Sequence, residues 1–149
     1  MQTLQAFQYV SREPGEQLPA VDLAHLRKLV CDDQAVLVAL LADLASSNLA
    51  DLAQLRYSSD NPSALVEVAH RVKGGARIVR AQALVASCER LEAQCTQRPA
   101  DTSQVRQAAR ALEETMLRLD RWLASYLGEH APRRQGGTDH TVMSAHSLP

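Results

Sequence analysis

The sequence predicts an all-α protein, an antiparallel up-down four-helix bundle preceded by a short leading helix. Hydrophobic residues make up 46% of the chain but aromatic residues only 3%. A core built from Leu, Val and Ala favours packed helices over a β-sandwich. Apolar residues recur every three or four positions in four long stretches, which is the spacing of a helix with one buried face. Because the turns between these stretches are short, consecutive helices are expected to run antiparallel.

The leading helix is expected to begin at the capping residue Asp22. Asp32 or Asp33 then opens a long helix that runs to about Tyr57. Asn48 falls where the apolar stripe of this helix should continue, so its middle is expected to kink or to be polar. The predicted inner face consists of Leu37, Leu41, Leu44, Leu52 and Leu55.

The next helix begins with Asn61 as N-cap and Pro62 at the first helical position, and it is expected to end near Arg80. A further helix stops before Pro99. Its inner stripe consists of Leu84, Cys88, Leu91 and Cys95.

The final helix is capped by Asp101, Thr102 or Ser103 and is expected to end before Gly128, a natural C′ residue. The bundle is therefore expected to span residues 18–128. Residues 1–17 are expected to be a linker or short helix, and residues 129–149, which lack any periodic pattern, a disordered C-terminal tail. The inner stripe of the final helix consists of Val105, Leu112, Met116, Leu119, Leu123 and Tyr126.

Charge and composition exclude several classes of partner. The net charge of −1 leaves no basic footprint for nucleic acid. No apolar run approaches membrane-spanning length, so no membrane contact is expected, and the first ten residues lack the pattern of a signal peptide. Cys88 and Cys95 lie about 10 Å apart by helical rise, too far to bridge. Reduced thiols and a cytoplasmic location are expected.

His70 carries the chemistry that this sequence suggests. At about 100° per residue it projects away from the buried stripe of its helix, with Lys73 one turn on and Gly74 beside it. Gly74 and Gly75 each cost about 1 kcal/mol relative to Ala in a helix interior. We therefore expect Gly74 to admit a partner beside His70 and Gly75 to admit a neighbouring helix.

A neutral imidazole is a competent phosphoryl acceptor, and a cation at Lys73 would stabilise charge on the phosphoryl oxygens. Glu92, on the following helix, is placed to accept a hydrogen bond from the imidazole N–H and fix its tautomer. Each residue also has an ordinary interpretation: a surface histidine, a solvated lysine, a glutamate paired with a nearby arginine. Val66, Glu67, Arg77 and Ile78 surround His70 and are the candidates for contacts with a docked partner.

Other sites are less well supported. Cys88 and Cys95 have no further ligand at metal-binding spacing, so core packing is the better interpretation and no metal is expected. The chain has no glycine-rich loop of the type that cradles phosphates. It therefore shows no means of binding ATP by itself, and no cofactor is expected.

The segment from Ala69 to Ala76, followed by Ala81, Leu84, Cys88, Leu91 and Glu92, resembles the histidine-containing phosphotransfer (HPt) family. The family pattern is Ala-His-x-x-Lys-Gly-x-Ala, then a Leu, a small or Cys residue and a Leu-Glu pair on the next helix. The resemblance extends more weakly over residues 18–127 and is strongest to the C-terminal HPt module of bacterial hybrid sensor kinases. Many members carry Gly where Arg80 stands, so Arg80 is expected to alter the helix ending or add charge to the docking surface.

The resemblance implies that His70 accepts phosphate from a receiver-domain aspartate of a hybrid sensor kinase and passes it to a response-regulator receiver. Lys73 and Gly74 match the family's supporting pair, and Glu92 matches its imidazole-orienting position. The receivers would supply Mg²⁺, and the chain would be a phosphorelay intermediate rather than an enzyme. The alternatives are a helical adaptor or dimerisation bundle that is never phosphorylated, which needs a large exposed apolar patch, and a hydrolase, which needs a pocket.

Overall fold

A computed structural model describes residues 20–132, which form five helices and no strand. The expectations for residues 1–17 and for most of the tail lie outside the described residues. Helices α2 and α4 each pack against both α3 and α5, and α1 packs on α2, so four long helices close into a bundle. The all-α bundle with a short leading helix is confirmed. The helices are α1 (Leu23–Leu29), α2 (Gln34–Tyr57), α3 (Pro62–Ile78), α4 (Gln82–Thr96) and α5 (Thr102–His130).

Side-chain caps define where four of the five helices begin, as the sequence predicts. In each, an Asp or Asn oxygen accepts a hydrogen bond from a backbone N–H of the first turn, which would otherwise lack a partner. Helix α4 begins at Ala81 without such a bond. The four capping residues are Asp22, Asp33, Asn61 and Asp101.

The predicted inner stripes form one continuous hydrophobic core, with Leu44 half-buried at its edge. Asn48, the polar interruption of the α2 stripe, is buried, and its Nδ2 donates to the Met116 carbonyl oxygen of α5 at 3.0 Å. The middle of α2 is therefore polar and bonded across the bundle, in agreement with the expectation.

Helix α3 ends in a Schellman motif. The Ala81 N–H donates to the Ala76 carbonyl at 2.9 Å, and the Arg80 N–H donates to the Arg77 carbonyl at 3.2 Å. This ending requires a left-handed backbone at Arg80, whose φ is 52°. Such a conformation favours glycine. The arginine at this position therefore places a side chain on an unfavourable backbone conformation.

The expectation that Gly128 lies just past the last helix is wrong, because α5 continues to His130. The His130 ring stacks on Tyr126, with 4.0 Å between ring centroids, and its Nδ1 lies 2.8 Å from the Tyr126 carbonyl oxygen. These contacts hold the last turn in helical form, so Gly128 does not end it.

Helix α2 is long and apolar enough to cross a membrane, judged by length and composition alone. This differs from the expectation that no stretch approaches that length. The average is apolar because of many Ala and Leu residues, although Asp43, Asn48 and Asp51 interrupt the run. Core helices of bundles meet the same criterion, and the inner face of α2 is buried against its neighbours.

Candidate functional site

His70 lies near the middle of α3, on the side opposite the buried stripe. The side chain is 79% exposed, and its Nδ1 points toward α4. The helix places it there because Val72 and Ala76, on the opposite side, are buried in the core. The imidazole is therefore held on a convex face where another protein can reach it.

Glu92 of α4 lies between His70 and Lys73. Its Oε1 is 3.6 Å from His70 Nδ1, and its Oε2 is 2.5 Å from Lys73 Nζ. The Lys73 side chain is only 12% exposed and that of Glu92 19%. The ordinary interpretation of Lys73 as a solvated surface lysine is therefore wrong, since its ammonium group is enclosed in an ion pair.

The Oε1 atom of Glu92 is the polar atom of this cluster that indicates how the His70 ring is oriented and protonated. It is buried and has no hydrogen-bond partner among residues 20–132. A separation of 3.6 Å from His70 Nδ1 is longer than a hydrogen bond, and an unpaired buried acceptor is costly. This oxygen favours the tautomer with a proton on Nδ1, which leaves the Nε2 lone pair of His70 directed away from Glu92.

Cys88, one turn before Glu92 on α4, is fully buried. Burial, followed by the negative charge of Glu92, raises the pKa of the Cys88 thiol to about 12. Burial also raises the pKa of Cys95. Both thiols stay protonated near neutral pH and are therefore core residues rather than nucleophiles, as expected.

The two glycines that follow Lys73 both border open space, as expected for Gly74 but not for Gly75. An added Cβ at Gly74 would meet no other part of the protein within 4 Å, so the space beside His70 is open to a partner. The same holds at Gly75. The expectation that Gly75 allows a neighbouring helix to approach closely is therefore wrong; Gly75 instead lines a cleft between α2 and α3.

The four candidate docking residues differ in accessibility. Ile78 is 57% exposed, and Glu67 is exposed on the His70 side of α3. Arg77 is exposed but lies 3.3 Å from a Glu89 carboxylate oxygen of α4. Val66 is half-buried and packs against the core, so most of its apolar surface is already covered.

Sequence reasoning missed the ion pair beside His70 between Arg71 and Asp51, in which Arg71 Nε lies 2.7 Å from Asp51 Oδ1. It also missed that Lys73 is bound to Glu92. Both pairs join different helices, and their formation depends on how those helices are aligned along their axes. The spacing of residues within one helix carries no signal for that alignment.

A family model described as "Hpt domain" matches residues 36–123, which is more than half of the chain. The matched region contains all of α3 and α4, and with them His70, Lys73, Gly74 and Glu92. Searches of curated proteins and of solved structures found no match. The matched region and the exposed histidine on a four-helix bundle agree: the chain belongs to the Hpt domain family, whose members are histidine phosphotransfer modules of phosphorelays.

Proposed function

We propose that His70 accepts a phosphoryl group from the aspartyl phosphate of a hybrid sensor kinase's receiver domain and passes it to the receiver of a response regulator. The observation that carries this proposal is the exposed imidazole whose Nδ1 faces the buried, unpaired Oε1 of Glu92 at 3.6 Å. Nothing else on this face of α3 is so arranged, among the residues described, to support a nucleophile.

In the accepting step, the Nε2 lone pair of a neutral His70 attacks the phosphorus atom, and an N–P bond forms. The P–O bond of the aspartyl phosphate breaks, and its electrons leave with the carboxylate of the donor. Because Nδ1 keeps its proton, the phosphorylated ring carries a positive charge. In the donating step the same bonds exchange in reverse on a second receiver, and the neutral imidazole returns.

Glu92 supports this cycle by its charge and its position. Its carboxylate faces the Nδ1–H on which the new positive charge is shared, and a charge-assisted hydrogen bond there is stronger than one between neutral groups. The site is preorganised, because α4 already holds the carboxylate against the ring before the phosphoryl group arrives.

Lys73 acts through Glu92 in this proposal. Its Nζ is 2.5 Å from Glu92 Oε2 and nearly enclosed, so it holds the carboxylate in place. This assigns Lys73 a positioning role instead of the expected direct contact with phosphoryl oxygens. The pair also compensates the burial of each charge, which an isolated carboxylate could not.

The partner docks on the exposed face around His70 in this proposal. Gly74 leaves room beside the imidazole, and Ile78 offers apolar surface to be covered on docking. Glu67 and Arg77 add polar contacts, while Val66 contributes only its exposed edge. The receivers supply Mg²⁺ for the aspartate chemistry, this chain needs no cofactor of its own, and the cytoplasm is its place of action.

Two rival functions are less well supported. A dimerisation bundle needs one large apolar patch. Among residues 20–132, the large exposed apolar side chains are instead distributed over three helices: Leu29, Val36, Leu49, Tyr57 and Ile78. A hydrolase needs a pocket at its general base, whereas His70 does not line the cleft between α2 and α3.

Incubation with a phosphorylated receiver domain tests the proposal. The protein is expected to acquire an acid-labile, alkali-stable label, and a second receiver is expected to remove it. The matched control is His70→Gln, which should remain folded, because the exposed His70 contributes little packing. Labelling of His70→Gln at the unmodified protein's level would remove His70 from the mechanism, and loss of its helical circular dichroism would make His70 structural.

A further inference from the structure

A cleft of about 350 Å³ opens between α2 and α3, on the side of α3 that faces α2. Its walls and floor are mainly apolar, and His70 is not among the lining residues. The Arg71–Asp51 ion pair joins the two helices at its rim. The apolar lining includes Leu44, Val72, Ala76, Leu84 and Leu119.

The cleft is open to solvent, and its apolar lining borders space that the packing of the four helices leaves unfilled. Gly75 lines the cleft, although a Cβ there would meet nothing within 4 Å and glycine is a poor helix former. The fold does not require glycine at this position, and any larger residue would reduce the open space.

Asn48 has an amide oxygen at this cleft that lacks a partner among the residues that the structure describes. Asn48 lines the cleft and is 5% exposed. Its Nδ2 is used, donating to the Met116 carbonyl. Its Oδ1 accepts no hydrogen bond from the residues that the structure describes, and it is not among the atoms sealed from solvent. An acceptor that reaches solvent at a mainly apolar cleft can take its hydrogen bond from water or from the donor group of a molecule that fills the cleft.

We propose that this cleft binds a small, largely apolar molecule that carries one N–H or O–H group, which donates to Asn48 Oδ1. The size is suitable: ligand pockets begin at about 300 Å³, and a cavity of about 150 Å³ already holds benzene. A bicyclic aromatic molecule with a single donor fits both the volume and the chemistry. This site is independent of phosphotransfer at His70.

Indole is a suitable probe, with indene as its control. The two have the same bicyclic shape, but indene lacks the N–H donor. We expect titration of indole into ¹⁵N-labelled protein to shift the Asn48 side-chain amide and the backbone amides of Gly75 and Ala76. Indole should bind about fivefold more tightly than indene, the contribution of one hydrogen bond to affinity.

The chain offers a matched pair of variants. Gly75→Leu should fill the cleft and abolish indole binding, whereas Gly128→Leu should bind as the unmodified protein does. Both replace a helical glycine whose added Cβ meets nothing within 4 Å, so their effects on helix propensity are alike. If Gly75→Leu does not fold, Ala50→Phe on the opposite wall serves the same purpose, since Ala50 is exposed at the rim.

Three results would overturn the proposal. The first is that indole leaves the cleft amides unshifted up to its limit of solubility, and the second is that it binds a folded, cleft-filled variant as tightly as the unmodified protein. Equal affinity for indene and indole would show that Asn48 does not select a donor. Any of these results would show that the cleft does not bind the proposed class of ligand.

Discussion

His70, Glu92 and Lys73 form a short chain of interacting groups that runs from solvent into the bundle. The imidazole is exposed, the carboxylate is mostly covered, and the ammonium group is enclosed behind it. Because Lys73 contacts Glu92, removing it leaves a buried carboxylate without its counter-charge. A slower phosphotransfer at His70 would then arise through Glu92. It can be distinguished by experiment from the loss of a direct contact between Lys73 and the phosphoryl group.

We predict that Lys73→Ala lowers stability by about 2 kcal/mol and slows phosphotransfer, because it breaks a mostly buried ion pair. Adding Glu92→Gln should recover most of the stability, because a neutral amide needs no counter-charge. Transfer should stay slow, because the carboxylate charge that stabilises the phosphorylated ring is lost. Urea unfolding, transfer kinetics and ¹⁵N spectra of the imidazole tautomer measure these effects. If Lys73 acts only through Glu92, the double variant should transfer at the rate of Glu92→Gln alone; a double variant slower than Glu92→Gln would show that Lys73 acts directly on the phosphoryl group.

The three cysteine thiols are predicted to differ in how fast they react with a thiol reagent. Cys31 is exposed, whereas Cys88 and Cys95 are buried and burial raises the pKa of each. A thiol reagent at pH 8 should therefore modify one group quickly in the native protein and all three after unfolding. Cys31→Ser provides the control, since it should leave no rapidly reacting thiol. Fast modification of that variant would mean that the bundle opens readily around α4.

The end of α3 combines a glycine-type conformation with an arginine. Arg80 has a φ of 52°, and its side chain gains only a 3.6 Å contact with Asp22, in which both groups are largely exposed. A left-handed conformation costs a residue with a Cβ about 1–2 kcal/mol, whereas an exposed ion pair contributes about 0–1 kcal/mol. The cost of the left-handed backbone at Arg80 therefore exceeds the stabilisation by its ion pair.

We predict that Arg80→Gly raises the free energy of unfolding by about 1 kcal/mol, measured by urea denaturation. Arg80→Ala is the matched control, because it loses the same ion pair but keeps the unfavourable backbone conformation. It should be no more stable than the unmodified protein. Equal stabilisation by Gly and Ala would assign the effect to the arginine side chain instead of to the backbone.

Helix α1 is predicted to loosen in acid. Its cap, Asp22, has a lowered pKa, chiefly because its carboxylate accepts a hydrogen bond from the His25 N–H and also because Arg80 is near. A depressed folded-state pKa means that this stabilisation is present above the unfolded value and is lost as pH falls through the folded value. The affected range is therefore below about pH 4.

Amide exchange of α1 followed from pH 6 to pH 2.5 checks this, after correction for the intrinsic exchange rate. Protection at His25 should fall in the acidic part of the range. Asp22→Asn should cap the helix without titrating there, so its protection should change much less. An identical acid response in both proteins would place the titrating group elsewhere.

Under the proposed function, a receiver docks on the exposed face of the bundle around His70. Gly74→Gln should block transfer from a receiver, because a long side chain would occupy the open space beside His70. Ile78→Asp should weaken it less, by removing exposed apolar surface. Both proteins should still react with phosphoramidate, which needs no docking surface. Val66→Asp is unsuitable for this comparison, since Val66 packs on the core and its loss would also affect folding.

Normal transfer by Gly74→Gln would show that the receiver does not use the space beside the imidazole. An equal loss with phosphoramidate would place the defect in His70 itself. Circular dichroism and urea unfolding of both variants provide the control for folding.

Features that depend on one helix were predictable from the chain. The caps Asp22, Asp33, Asn61 and Asp101, the buried leucine stripes and the outward position of His70 all follow from local chemistry and from 3.6 residues per turn. The end of α5 was not predictable in this way. Stacking of the His130 ring on Tyr126 outweighs the usual tendency of a glycine to end a helix.

Features formed between two helices could not be predicted from the chain, because they depend on how the helices are aligned relative to each other. The Lys73–Glu92 pair joins α3 to α4, the Arg71–Asp51 pair joins α2 to α3, and the cleft exists because no side chain fills the space at Gly75. Periodicity specifies which side of a helix is buried, but it does not specify how far one helix slides along another or how closely they approach. Those two quantities follow from side-chain packing across the whole bundle, and they place an enclosed carboxylate behind His70.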